Sequence, residues 1–142
     1  MSSLYLLDTN VLIALLRGRG ESARARLRQA EGRIAVSTVS EMELEYGVER
    51  SRDAHRNRQA VDELLSLVEV IPLDSMAAMH AGRIRAMLAD RGTPIRPYDA
   101  LLAGHARSLG LVMVTNNVGE LSRVPGLEIE DWLAGDGAPG AR

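Results

Sequence analysis

The chain has 142 residues, a formal net charge of −2, 46% hydrophobic residues and no cysteine, which fits one globular domain with a real core. It excludes disulfide frameworks, thiolate nucleophiles and Cys-based zinc sites. All 17 basic residues are arginine, so no chemistry that needs a lysine ammonium, Schiff base or Walker lysine can operate, and with no Phe, three Tyr and one Trp, stacking platforms for bases are scarce. No apolar run reaches membrane-spanning length and the start lacks a signal-peptide pattern, so a soluble cytoplasmic protein that does not engage the membrane is expected.

Residues 4–7 read as a short strand buried on both faces, as in a parallel sheet. The strand runs into Asp8, and Thr9 or Asn10 can cap a helix that buries Val11, Leu12, Leu15 and Leu16. Asp8 therefore belongs at the carboxyl end of the first strand, where open α/β sheets hold ligands; the bland alternative is a helix-start acid that complements the dipole. Residues 21–31 form a second helix with Ala23, Leu27 and Ala30 inward, ended by Gly32. Residues 33–37 are a second strand, and Thr38-Val39-Ser40-Glu41 resembles a capping box that opens a third helix with Val39, Met42, Tyr46 and Gly47 on one stripe. A polar stretch over 50–59 precedes a helical pattern over 60–67 and a third strand over 68–73, ended by Pro72. Asp74 or Ser75 starts a long helix to residue 89, with Ala78, Ile84, Met87 and Leu88 available for burial. Residues 90–97 are a loop, and Pro97 suits the first turn of a helix over 98–109 closed by Gly110. Residues 111–114 are a fourth strand, Thr115-Asn116-Asn117 a turn, and 127–129 an edge strand. The expected architecture is α/β, a four- to five-stranded parallel sheet covered on both faces, in one domain over 1–134 with a disordered Gly/Pro/Ala-rich tail over 135–142.

Three acids separate from the general background. Glu41, Glu45 and Glu49 recur every four residues as a solvated stripe would. Glu43 lies off that stripe, four residues after Val39 and three before Tyr46, and an inward carboxylate costs several kcal/mol unless paired. Its bland alternative is a rim glutamate with a packed stem and a wet head. Asp99 falls in a first helical turn, favourable for any acid, yet Leu102, Ala103 and Ala106 three, four and seven residues on place it toward the core. After the fourth strand, Thr115 can donate its hydroxyl to a neighbouring carboxylate and Asn117 can hold a metal-bound water, while Glu120 is either a ligand or a helix acid; plain turn chemistry accounts for the asparagines equally. Three converging acids cannot all stay charged without a cation. Hard divalent ions with oxygen ligands, Mg²⁺ or Mn²⁺, meet that need, and phosphodiester hydrolysis is the chemistry they support. His55, His80 and His105 show no helical zinc spacing, and Trp132 reads as a packing anchor.

The segments Leu7-Asp8-Thr9-Asn10-Val11-Leu12-Ile13, Glu43-Leu44-Glu45-Tyr46-Gly47, Pro97-Tyr98-Asp99-Ala100-Leu101-Leu102-Ala103 and Leu111-Val112-Met113-Val114-Thr115-Asn116-Asn117, with Val124-Pro125-Gly126-Leu127, resemble the PIN-domain ribonucleases. The nearest resemblance is to the VapC toxins of bacterial toxin–antitoxin pairs. It implies a three-layer α/β/α fold and an Mg²⁺-dependent endoribonuclease that uses Asp8, Glu43 and Asp99 on structured RNA, often tRNA. It also implies a homodimer, and neutralisation by a VapB-type antitoxin whose C-terminal segment lies over the active-site groove. One departure stands out: many relatives carry an acid where this chain has Asn117, which makes Glu120 the candidate fourth carboxylate, with Thr9, Asn10, Thr115 and Asn116 in support. Competing readings are a non-catalytic PIN-like RNA-binding or scaffold protein, and a phosphotransfer or phosphatase domain with Asp8 as nucleophile. The latter group relies on a lysine beside the aspartate, which this chain lacks.

Overall fold

The structure, a computed structural model, describes residues 3–134; the tail assigned to 135–142 lies outside the described residues. The elements in chain order are β1 (Tyr5–Leu7), α1 (Thr9–Leu16), α2 (Glu21–Gln29), β2 (Ile34–Ser37), α3 (Thr38–Glu49), α4 (Ala54–Ser66), β3 (Glu69–Ile71), α5 (Ser75–Asp90), α6 (Pro97–Leu109), β4 (Val112–Val114), α7 (Val118–Leu121) and β5 (Ile129–Glu130). All strand pairs are parallel, and the sheet order is β3-β2-β1-β4-β5. β1 is thus the central strand, and its carboxyl end is flanked by those of β2 and β4.

Alternating side chains feed two cores, one on each face of the sheet. Leu7, Val36 and Val114 join Val11, Leu12, Leu44, Val61 and Trp132 on one face. Leu6, Ala35 and Met113 join Ile84, Leu88, Leu102 and Leu121 on the other. This is why the strands read as continuous apolar runs: both faces are covered, and the three-layer α/β/α arrangement follows. Among the described residues no helix is long and apolar enough to cross a membrane.

Several local expectations need correction. The Ncap of α1 is Asp8, not Thr9 or Asn10, and its side chain makes no cap bond. The α3 cap is Ser37, whose Oγ accepts from the Val39 amide at 3.1 Å; Thr38 instead accepts from the Leu73 amide and ties β2's exit to β3's. The buried stripe of α3 is Ser40, Leu44 and Val48, whereas Met42 and Tyr46 are 44% and 64% exposed. Apolar atoms make up much of any protein surface, so apolar spacing alone misassigned that face. On α5 the inward residues are Ala77, Ala81, Ile84 and Leu88, with Ala78 outside.

Helices α5 and α6 approach closely at Gly104. A Cβ there would stand 2.5 Å from the Ala81 amide nitrogen and 2.7 Å from its Cα, so the two backbones meet where only glycine fits. That contact sets the packing of α6, which carries Asp99. Gly104→Ala is expected to lose on the order of 1–3 kcal/mol through overpacking, despite alanine's better helix propensity. Gly82→Ala on α5, where the added Cβ meets open space, is expected to leave the melting temperature unchanged or slightly raised. Thermal unfolding of the two variants checks both.

Candidate active site

Asp8 follows the last residue of the central strand. Its amide donates to the Val114 carbonyl at 2.8 Å, so the β1–β4 ladder extends to the acid itself and aims its side chain at the sheet's carboxyl edge. Asp8 is 3% exposed. Its Oδ2 accepts from the Thr115 hydroxyl at 2.8 Å, and Thr115 Oγ1 in turn accepts from the Asn117 amide at 3.0 Å. Burial pushes the Asp8 carboxyl above the ordinary aspartate range; the Thr115 hydroxyl opposes this, the charge of Asp99 adds to it, the Thr9 amide opposes, and the charge of Glu43 adds again. Asp8 is thus a buried acid that feels two other acids.

Glu43 reaches the same place from α3. Thr9 Oγ1 donates to Glu43 Oε1 at 2.6 Å and lies 2.7 Å from Ser40 Oγ. A hydroxyl has one proton, and a carboxylate only accepts, so Ser40 donates to Thr9 and Thr9 to Glu43. Ser40 and Thr9 are both buried. Glu43 stands beside the buried stripe through Ser40, Leu44 and Val48, on the side that faces Thr9.

Asp99 comes from the first turn of α6, three residues after the Ncap Arg96. Arg96 Nε donates to Asp99 Oδ2 at 3.3 Å, with the acid's side chain 14% exposed and the arginine's 72%. Asp8, Glu43 and Asp99 all line one open cleft of about 560 Å³, together with Thr9, Asn10, Arg96 and Tyr98. Asn117 and Glu120 lie outside that lining and bond to each other, Nδ2 to Oε2 at 2.7 Å. Asn116 is exposed at the turn. Ser40, Arg96 and Tyr98 are site neighbours that the sequence did not single out. Ser40 carries one available signal, since it lies one helical turn before Glu43.

The donor set suits a hard divalent cation: carboxylate oxygens, neutral hydroxyl and amide support, and no thiolate or imidazole in the lining. Among the described residues no three acids or histidines already form a closed coordination shell; Glu43 is engaged by Thr9 and Asp99 by Arg96. The acids share the cleft, and each carboxylate keeps lone pairs beyond those bonds with which to meet an ion.

Behind the cleft, His105 ties α6 to the start of α3. Its Nδ1 lies 2.8 Å from Ser37 Oγ, and both residues are buried. Nε2 is buried and has no hydrogen-bond partner among the described residues. Burial lowers the ring's affinity for a proton; the Asp74 charge and the Pro72 carbonyl bias it the other way without prevailing.

Residues 5–127 match the family model described as PIN domain. The chain is 46% identical over 128 residues to tRNA(fMet)-specific endonuclease VapC of Salmonella typhimurium, which spans 90% of this chain and 97% of that protein. It is 36% identical over 129 residues to ribonuclease VapC2 of Haemophilus influenzae, spanning 91% and 98%. Among solved structures, DNA-bound VapBC from Salmonella typhimurium superposes with a TM-score of 0.88 at 45% identity, covering 92% of this chain and 98% of that one. VapBC2 from Rickettsia felis, bound to a promoter DNA fragment, gives 0.86 at 31% identity, covering 93% and 99%.

The His105 environment yields a pH prediction. The folded ring is neutral because its pKa is depressed, while the unfolded ring takes up a proton below about 6.5. Its contribution is therefore fully present above that value and is lost as pH falls from there through the depressed folded-state pKa. Melting temperatures between pH 7.5 and 5.5 should fall more steeply for the wild type than for His105→Gln, measured by differential scanning fluorimetry; equal slopes would contradict the assignment.

Proposed function

The chain belongs to the PIN domain family as a VapC-type endoribonuclease, and we propose that its activity depends on a divalent metal, Mg²⁺ or Mn²⁺, held by Asp8, Glu43 and Asp99. The observation that carries this reading is Asp8 itself. It is buried at the end of the central strand, with its charged form disfavoured, in a cleft shared with two more acids. A cation there relieves a burial cost that hydroxyls alone offset only in part. Once bound, the metal supplies water activation and neutralises the charge that builds on the phosphate.

The protein's own contribution is orientation. Thr115 fixes the rotation of the Asp8 carboxylate, and the Ser40–Thr9 pair fixes that of Glu43; such supporting bonds typically change metal affinity or activity by about 10–100-fold. Asn10 lines the cleft with an exposed amide, suited to a phosphate or ribose oxygen. Asn117 and Glu120 act at one remove in this reading. They brace the turn whose Thr115 holds Asp8.

The substrate we assign is structured RNA, and tRNA first, because the relative at 46% identity is named for cleavage of tRNA(fMet). The partner we assign is a VapB-type antitoxin, since the similar solved structures are VapBC complexes. A second groove of about 200 Å³ between α1, α3 and α4 supports this. It is lined by Ile13, Leu16, Leu44 and Val48, and shares Glu43 with the acid cleft, so a segment seated there would also reach the site. The homodimer is a further expectation that sedimentation reads directly.

Asp8→Asn and Asp99→Asn are expected to abolish metal-dependent cleavage of tRNA, losing more than the roughly 100-fold assigned to a supporting contact, with far-ultraviolet circular dichroism unchanged. Thr115→Val is expected to fall within that 10–100-fold range. Single-turnover cleavage with and without Mg²⁺ measures each, and wild-type rates in Asp99→Asn would refute the assignment.

A further inference from the structure

Among the described residues, Arg96 is the only cationic side chain that lines the acid cleft. It stands at the mouth, 72% exposed, and its Nε contacts Asp99 at 3.3 Å, longer than a well-formed N–H···O bond. The guanidinium therefore meets this acid through one long contact and not as a closed bidentate fork. Its backbone is fixed from both sides. Ile95 before it is buried in the core, and Pro97 after it holds Arg96 extended at φ −65°, ψ 145°. A fixed base with a loosely engaged, exposed head suits a side chain that changes partners.

We propose that Arg96 is a resident counter-cation that exchanges Asp99 for the substrate. With no metal bound it neutralises part of the acid cluster through Asp99. When a divalent cation takes Asp99, the guanidinium is released at the cleft mouth and contacts an RNA phosphate. The inference rests on the metal site proposed above. Its logic is charge: three acids share the cleft, and metal and Arg96 compete for one of them. An arginine freed beside a bound cation has phosphate as its natural acceptor.

The test is Mn²⁺ calorimetry together with steady-state cleavage of tRNA on wild type, Arg96→Ala, Arg96→Lys and Asp8→Asn. Arg96→Ala is expected to bind Mn²⁺ more tightly, by roughly two- to five-fold, the worth of one exposed ion pair. The same variant should show a raised KM with a smaller change in kcat, and a salt slope of log KM reduced by about 1. Arg96→Lys should recover part of the KM. Unchanged Mn²⁺ affinity and KM in Arg96→Ala, with wild type binding Mn²⁺ and Asp8→Asn not, would overturn this inference alone. Equal Mn²⁺ binding by wild type and Asp8→Asn would instead overturn the metal site on which it rests.

Discussion

The burial of one carboxylate, Asp8, at the end of a parallel sheet beside two further acids is the constraint on which the rest of this molecule depends. Asp8 is the innermost, 3% exposed, and its position is set by the β1–β4 ladder and not by a flexible loop. Burial and the charges of Asp99 and Glu43 all push against its ionisation. Buried, clustered acids are costly unless something offsets their charge, and the metal site proposed above would supply that offset.

The fold meets that constraint with neutral donors inside and a cation only at the edge. Thr115 serves Asp8, and Ser40 through Thr9 serves Glu43. Hydroxyls orient carboxylates without consuming their charge, as the proposed metal site would need. Asp99 is the one held by an arginine. The helices that deliver Glu43 and Asp99 are locked from behind by the buried Ser37–His105 contact and by the glycine-sized approach of α6 to α5. Site geometry and core packing are therefore the same problem in this chain.

Much of this was legible in the sequence, for reasons that differ by residue. Asp8 was visible because an apolar run ending in an acid marks the functional edge of a parallel sheet. Asp99 was visible from the apolar residues that follow it at helical spacing. Glu43 was placed beside an apolar stripe by its spacing from Val39 and Tyr46; Tyr46 is exposed, the buried stripe runs through Ser40, Leu44 and Val48, and Glu43 is a half-buried residue lining the cleft. The hydroxyl relay and the Arg96 contact could not be read in advance. Thr9 and Ser40 are 31 residues apart, and their meeting is a property of the fold. Asn117 and Glu120 show the same limit from the other side: their spacing suits a helix start, and they bond to each other.

The most direct measurement of the central claim is an anomalous difference map from crystals of the wild-type protein soaked in Mn²⁺. A peak within the cleft lined by Asp8, Glu43 and Asp99 is the result this account predicts. Full-occupancy manganese elsewhere on the surface, with none in the cleft and Asp99 still on Arg96, would contradict it.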